Sequence, residues 1–135
     1  MNKIIATPHD LRQLKLKELL EHKDMCLECS GALALVYSHF TAFIDAERAG
    51  INSRDQLTYM NAAIDIFVDA VRVLPAYERR SLYGYGQAAA LRMRNELMLE
   101  YRHGGKMTDE DRDTALFFID ELFKECVDGT KGAMG

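Results

Sequence analysis

Residues 54–74 read RDQLTYMNAAIDIFVDAVRVL. Leu57, Met60, Ile64, Phe67, Val71 and Leu74 recur there in alternating steps of three and four. That spacing stacks side chains along one face of an α-helix, whereas a strand would alternate every second residue. The polar residues Thr58, Asn61, Asp65, Asp69 and Arg72 form only a narrow stripe, and Ile66, Val68 and Val73 widen the apolar arc. A helix this apolar must be covered on more than one side, so it is expected at the centre of the fold or in a dimer contact. Pro75 ends it, because the residue before a proline is pushed away from helical angles.

The same pattern extends upstream. Cys26, Cys29, Leu33, Val36, Phe40 and Phe43 predict a helix over 25–49, stopped by Gly50, a residue that tolerates left-handed backbone angles. Ser53 and Gln56 have the spacing of a capping box for the helix that follows. Nearer the start, Thr7-Pro8-His9-Asp10 supplies a capping hydroxyl, a first-turn proline and a carboxylate, which predicts a helix over 8–23. Its leucines (Leu11, Leu14, Leu16, Leu19, Leu20) form no single stripe, so it is expected to cover a flank.

Downstream, a short helix is expected over 76–82, with Gly84 and Gly86 weakening the chain by about 1 kcal/mol each if helical. The next helix is expected over 87–103, with Ala90, Met93, Leu97 and Tyr101 inward and Gly104-Gly105 at its end. Thr108 and Asp111 form a third capping box. It opens a helix over 109–127 that lays Leu116, Ile119, Phe123 and Cys126 on one face, and Gly129 is expected to close it. The fold class is therefore all-α: a compact bundle of about five helices, the second and third central, in one domain over 1–128. Residues 129–135, GTKGAMG, are expected to form a flexible tail.

Composition bounds the function. The chain has 135 residues, 48% apolar and 28% charged, enough for one core without disulfide or metal support. Seventeen basic against 21 acidic residues argue against a surface coated in phosphate-binding charge. No run of 18 apolar residues occurs, so no membrane role is expected. The start, MNKIIATPHD, lacks a signal-peptide apolar stretch, and three cysteines do not make a secreted disulfide scaffold. A cytoplasmic location is the expectation. Charge is segregated: residues 75–107 carry six bases and three acids, and residues 108–135 carry eight acids and three bases.

Several short motifs admit a chemical reading. Cys26-Leu27-Glu28-Cys29 has the spacing of a zinc or redox pair, and His22 lies four residues before it, with Cys126 or His39 as a further ligand across the bundle. Both cysteines, and Cys126, also fall on apolar seams, where free cysteine is ordinary core filling. Core packing is the preferred reading, and neither metal nor cofactor is expected. Ala46-Glu47-Arg48-Ala49-Gly50-Ile51-Asn52 resembles the turn of a helix-turn-helix, which would bring Arg54 and Gln56 to the start of a recognition helix within 46–59. Leu57 falls one position late for that pattern, and the following helix is too apolar for most of it to face DNA, so a nucleic-acid partner is disfavoured.

Glu100-Tyr101-Arg102-His103 has Glu-x-x-His spacing, but no second copy completes a di-iron site. Gly84-Tyr85-Gly86-Gln87-Ala88-Ala89 matches a dinucleotide fingerprint without the strand that motif needs. The acid pairs Asp65/Asp69 and Glu96/Glu100 read as solvated faces, with acid–base work as the alternative. Arg79, Arg80, Arg92 and Arg94 are the candidate basic partner surface. The expected function is a non-catalytic helical interaction protein (adaptor, regulator or chaperone-like binder) that contacts another protein or pairs with a second copy of itself. The alternatives are a DNA-binding regulator and a small zinc module.

Overall fold

The computed structural model describes residues 27–134, with side chains over 31–132. Among these residues there are four α-helices and no strand. They are α1 (Leu27–Ala49), α2 (Arg54–Arg72), α3 (Ala76–Gly104) and α4 (Asp109–Met134). The helix expected over 8–23 lies outside the described residues, as do His22 and Cys26.

The first turn forms where the sequence predicts. Gly50 takes φ +71°, and the Ile51 and Gly50 amides donate to the Ala46 and Glu47 carbonyls, satisfying the last acceptors of α1. The capping box expected at Ser53 does not form: the Ser53 hydroxyl donates to Glu47 instead, and Gln56 accepts a hydrogen bond from His39 Nδ1 at 3.0 Å. Asn52 takes over, its Oδ1 accepting the Arg54 amide at 3.0 Å. At Thr108 the hydroxyl does cap the helix, accepting the Asp111 amide at 3.1 Å.

Two expected boundaries are corrected. Residues 76–104 make one continuous helix, not a short helix and a long one, and one of the two glycines expected to weaken it is needed for packing. A Cβ on Gly86 would lie 2.4 Å from the Cys126 sulfur of α4 and 3.2 Å from the Phe67 ring of α2. The second correction is that α4 passes through Gly129 to Met134. A Cβ on Gly129 would meet the buried Tyr83 ring of α3 at 2.3 Å, so this glycine lets α3 approach. Beyond it, the Thr130 hydroxyl donates to the Cys126 carbonyl and accepts from Gln87 of α3, tying the last turns down. Helices α3 and α4 thus interlock by two reciprocal notches.

The helices form two antiparallel hairpins, α1–α2 and α3–α4, within which most helix–helix contact lies. Between hairpins, α1 runs parallel to α3 and α2 runs parallel to α4, as the pairings Arg48–Glu100 and Arg54–Glu110/Arg72–Glu125 require. Among the described residues the bundle therefore has four helices rather than about five, and all four share one core. Leu33, Val36, Phe40 and Phe43 of α1 meet Met60, Ile64, Phe67 and Val71 of α2 there. Leu82, Met93 and Leu97 of α3 and Ala115, Ile119, Leu122 and Cys126 of α4 complete it.

Among the described residues, Leu33, Val36, Phe40 and Phe43 of the predicted α1 seam and Leu57, Met60, Ile64, Phe67 and Val71 of the α2 seam are buried as predicted. On α4 the buried face rotates to Ala115–Ile119–Leu122–Cys126, leaving Leu116 and Phe123 half-buried. Two members of the wide arc on α2 face outward: Ile66 is 56% and Val73 83% exposed, so that helix is not covered all round.

Candidate functional site

Two features stand apart from the apolar core: a polar joint at one end of the bundle and a groove along one side. The joint lies where the α1–α2 and α3–α4 turns meet. Glu47, Ser53 and Glu100 are the buried polar side chains among the described residues. The Ser53 hydroxyl donates to Glu47 Oε2. Glu100 accepts Arg48 Nε at 2.7 Å, and Gly104 leaves room for its carboxylate, since a Cβ there would sit 1.9 Å from Oε2. Lys106 Nζ donates to the Arg48 carbonyl at 2.9 Å, and Arg54 reaches Glu110 at 3.3 Å and Asp111 at 3.8 Å. Every helix contributes to this polar layer.

Its electrostatics are unusual at Glu47. Burial pushes this carboxyl above the ordinary carboxylate range; the Ser53 hydrogen bond opposes the rise, while a hydrogen bond with Asp111 and the charges of Asp111 and Glu100 add to it. The folded state therefore holds the Glu47 proton to higher pH than the unfolded chain does. Stability contributed by this group is present at low pH and is lost as pH rises from the ordinary carboxylate range through the raised value. Glu47→Gln keeps an acceptor for Ser53 and removes the titration. Across urea titrations from about pH 4 to about pH 8, the variant should lose less stability than the wild type as pH rises. Parallel profiles would refute the assignment.

The sequence-predicted candidates are dispersed. Cys29 falls in the first turn of α1, and Cys126 is fully buried against Gly86, its thiol pushed up to about 12 by burial. A thiol so reluctant to ionise is a poor ligand or nucleophile. Among the described residues, no three His, Cys, Asp or Glu side chains converge to hold a metal ion. Arg54 leans onto the acids of α4 and Gln56 onto His39. The four arginines of α3 are likewise separated. Arg79 donates to the Leu74 carbonyl, Arg92 lies 6.0 Å from the Tyr37 ring centroid on α1, Arg94 pairs with Asp120 of α4, and Arg80 is exposed. Gly84 and Gly86 lie mid-helix with no strand before them.

The groove lies between the parallel helices α2 and α4 and has a volume of about 420 Å³. Phe117 and half-buried Phe118 supply its accessible apolar surface over a floor of buried Ile64 and Val68, and Asp65, Asp69, Glu121 and Glu125 stand along it. Phe117, 61% exposed, sits edge-on to Phe118 with ring centroids 5.9 Å apart. Arg72 closes one end by pairing with Asp69 at 3.1 Å and Glu125 at 3.5 Å. A smaller recess of about 210 Å³ lies between α3 and α4, lined by Leu91, Phe123 and the Arg94–Asp120 pair among others.

The sequence displays Asp65 and Asp69 as a pair but does not join them to their partners across the groove. A signal existed: adjacent Phe117 and Phe118 cannot both face inward, and Glu121/Glu125 repeat the spacing of Asp65/Asp69. No helix of the described residues is long and apolar enough to cross a membrane. No protein family matches the chain, and no curated protein or solved structure resembles it significantly.

Proposed function

We propose that this is a cytoplasmic, non-catalytic interaction protein, an adaptor, regulator or chaperone-like binder, that docks a segment of another protein in the groove between α2 and α4. The observation that carries this reading is Phe117. This phenyl ring, 61% open to solvent, stands with the Phe118 ring on the rim of a groove lined by both polar and apolar groups, and the two rings give a docked segment an apolar anchor. Two parallel helices with a furrow between them also form a shape that a third helix fills well. The carboxylates that line the furrow keep it wetted and soluble when empty.

The test compares two surface variants. Phe117→Ser should change stability by no more than about 0.5 kcal/mol, because the side chain is exposed. It should nonetheless abolish recovery of a defined partner in affinity capture from the native cell, identified by mass spectrometry. Leu99→Ser, at a 56% exposed site on α3, should leave that recovery intact. Equal recovery by wild type and Phe117→Ser would refute the groove as the docking face.

A further inference from the structure

We infer that the segment taken by this groove is a cationic amphipathic helix, with Lys or Arg flanking an apolar stripe; the inference rests on the docking reading above. The groove carries four carboxylates, two per wall: Asp65 and Asp69 on α2, Glu121 and Glu125 on α4. Each pair is spaced i,i+4, one helical turn, so both walls present negative charge at the same period of about 6 Å. Because α2 and α4 run parallel, the two rows advance in step. Arg72 is the one cationic residue of the lining, and it engages Asp69 and Glu125 at one end. Asp65 and Glu121 have no cationic partner among the described residues.

The dimensions suit a helix. From Asn61 to Arg72 the groove follows α2 for about 16 Å, or three turns, long enough for apolar residues at i, i+3 and i+7 to lie along its floor and against the Phe117 and Phe118 rings. Basic residues beside that stripe then fall between the two carboxylate rows. An acidic or phosphate-rich ligand would meet like charge on both walls, and an uncharged apolar helix would leave Asp65 and Glu121 without partners while reducing their contact with water.

The chain contains no tryptophan, so a single tryptophan in a peptide reports binding without background. The probe is a synthetic helix of about sixteen residues with Leu at i, i+3, i+4 and i+7, Lys at the flanking positions and one Trp. Its counterpart carries Glu at every Lys position. Against the full chain, the Leu/Lys peptide should bind at least about tenfold more tightly than the Leu/Glu peptide, with affinity falling as salt is added. Asp65→Asn/Glu121→Gln should remove most of that difference, with no change in urea midpoint because both sites are exposed. Amide chemical shifts should move along α2 and α4 and not along the Leu91–Leu99 face of α3.

Equal binding of both peptides, binding indifferent to Asp65→Asn/Glu121→Gln, or shifts confined to α3 would each overturn the inference. The two readings fail separately. If Phe117→Ser loses its cellular partner while the Leu/Lys peptide shows no advantage, the groove remains a docking face and the cationic assignment falls.

Discussion

Phe67→Ala should destabilise the protein by about 3–5 kcal/mol, more than any other single substitution proposed for this fold. Phe67 is fully buried midway along α2, and its ring approaches the Gly86 position of α3 beside the Cys126 sulfur of α4. Truncation removes apolar surface from the layer where three helices meet. The cavity left behind cannot collapse easily, because Met60, Ile64 and Val71 are pinned by their own packing on the same helix. Set against a total stability of about 5–15 kcal/mol for a domain, such a loss is a large fraction of the whole. The check is a urea titration of both proteins, comparing midpoints at equal slope. A cost below about 1 kcal/mol would show that this face is not core.

Gly86→Ala should be the second most damaging change, by about 1–3 kcal/mol, although alanine is the better helix former. Intrinsic propensity alone favours alanine by about 1 kcal/mol, so the sign depends on whether space exists. It does not: the new methyl would meet Cys126 Sγ at 2.4 Å, and both Cys126 and Phe67 are buried. A methyl on Gly84, two residues earlier, would have no such neighbour within 4 Å, so Gly84→Ala should stabilise. The contrast between two glycines on one helix separates steric cost from propensity within a single thermal denaturation series. Cys126→Ala should relieve part of the Gly86→Ala penalty, so the double variant should lose at least about 0.5 kcal/mol less than the two singles together. Strict additivity would mean that the α3–α4 notch is not where the strain falls.

These residues also show how far the sequence carries. The seams of α1 and α2 were legible because Val36, Phe40, Phe43, Met60, Ile64 and Phe67 obey the helical period, which depends on nothing outside each segment. The course of α3 was not. Gly84 and Gly86 read as a break because local propensity is all a sequence offers, and the approach of Cys126 that makes Gly86 useful comes from far along the chain, on another helix. Ser53 failed for a related reason. Its hydroxyl has the right spacing for a cap, yet Glu47, brought near by the Gly50 turn and buried under the second hairpin, takes the hydrogen bond first.

The groove was half legible. Asp65 and Asp69 were visible as a pair, but a furrow belongs to two helices, and the pairing of α2 with α4 is set by how the hairpins dock. Likewise, the basic balance of residues 75–107 and the acidic balance of residues 108–135 were visible in the sequence, and they meet across the α3–α4 hairpin in the Arg94–Asp120 pair. Charge balance alone does not show that other acids of α4, Glu121 and Glu125 among them, face α2.

The arrangement of the helices has a consequence for how the molecule assembles and loosens. Each hairpin joins partners that are neighbours along the chain, so either can zip up before the other exists, and closing so short a loop costs little entropy. Joining the halves involves the thinner set of contacts, with Val73–Pro75 as the spine between them. Backbone amides should accordingly exchange with solvent as two blocks, one per hairpin, after a book-like opening that parts α1 from α3 and α2 from α4. Such an opening would also separate the two carboxylate rows, so an occupant that spans them would act as a clasp holding the book shut.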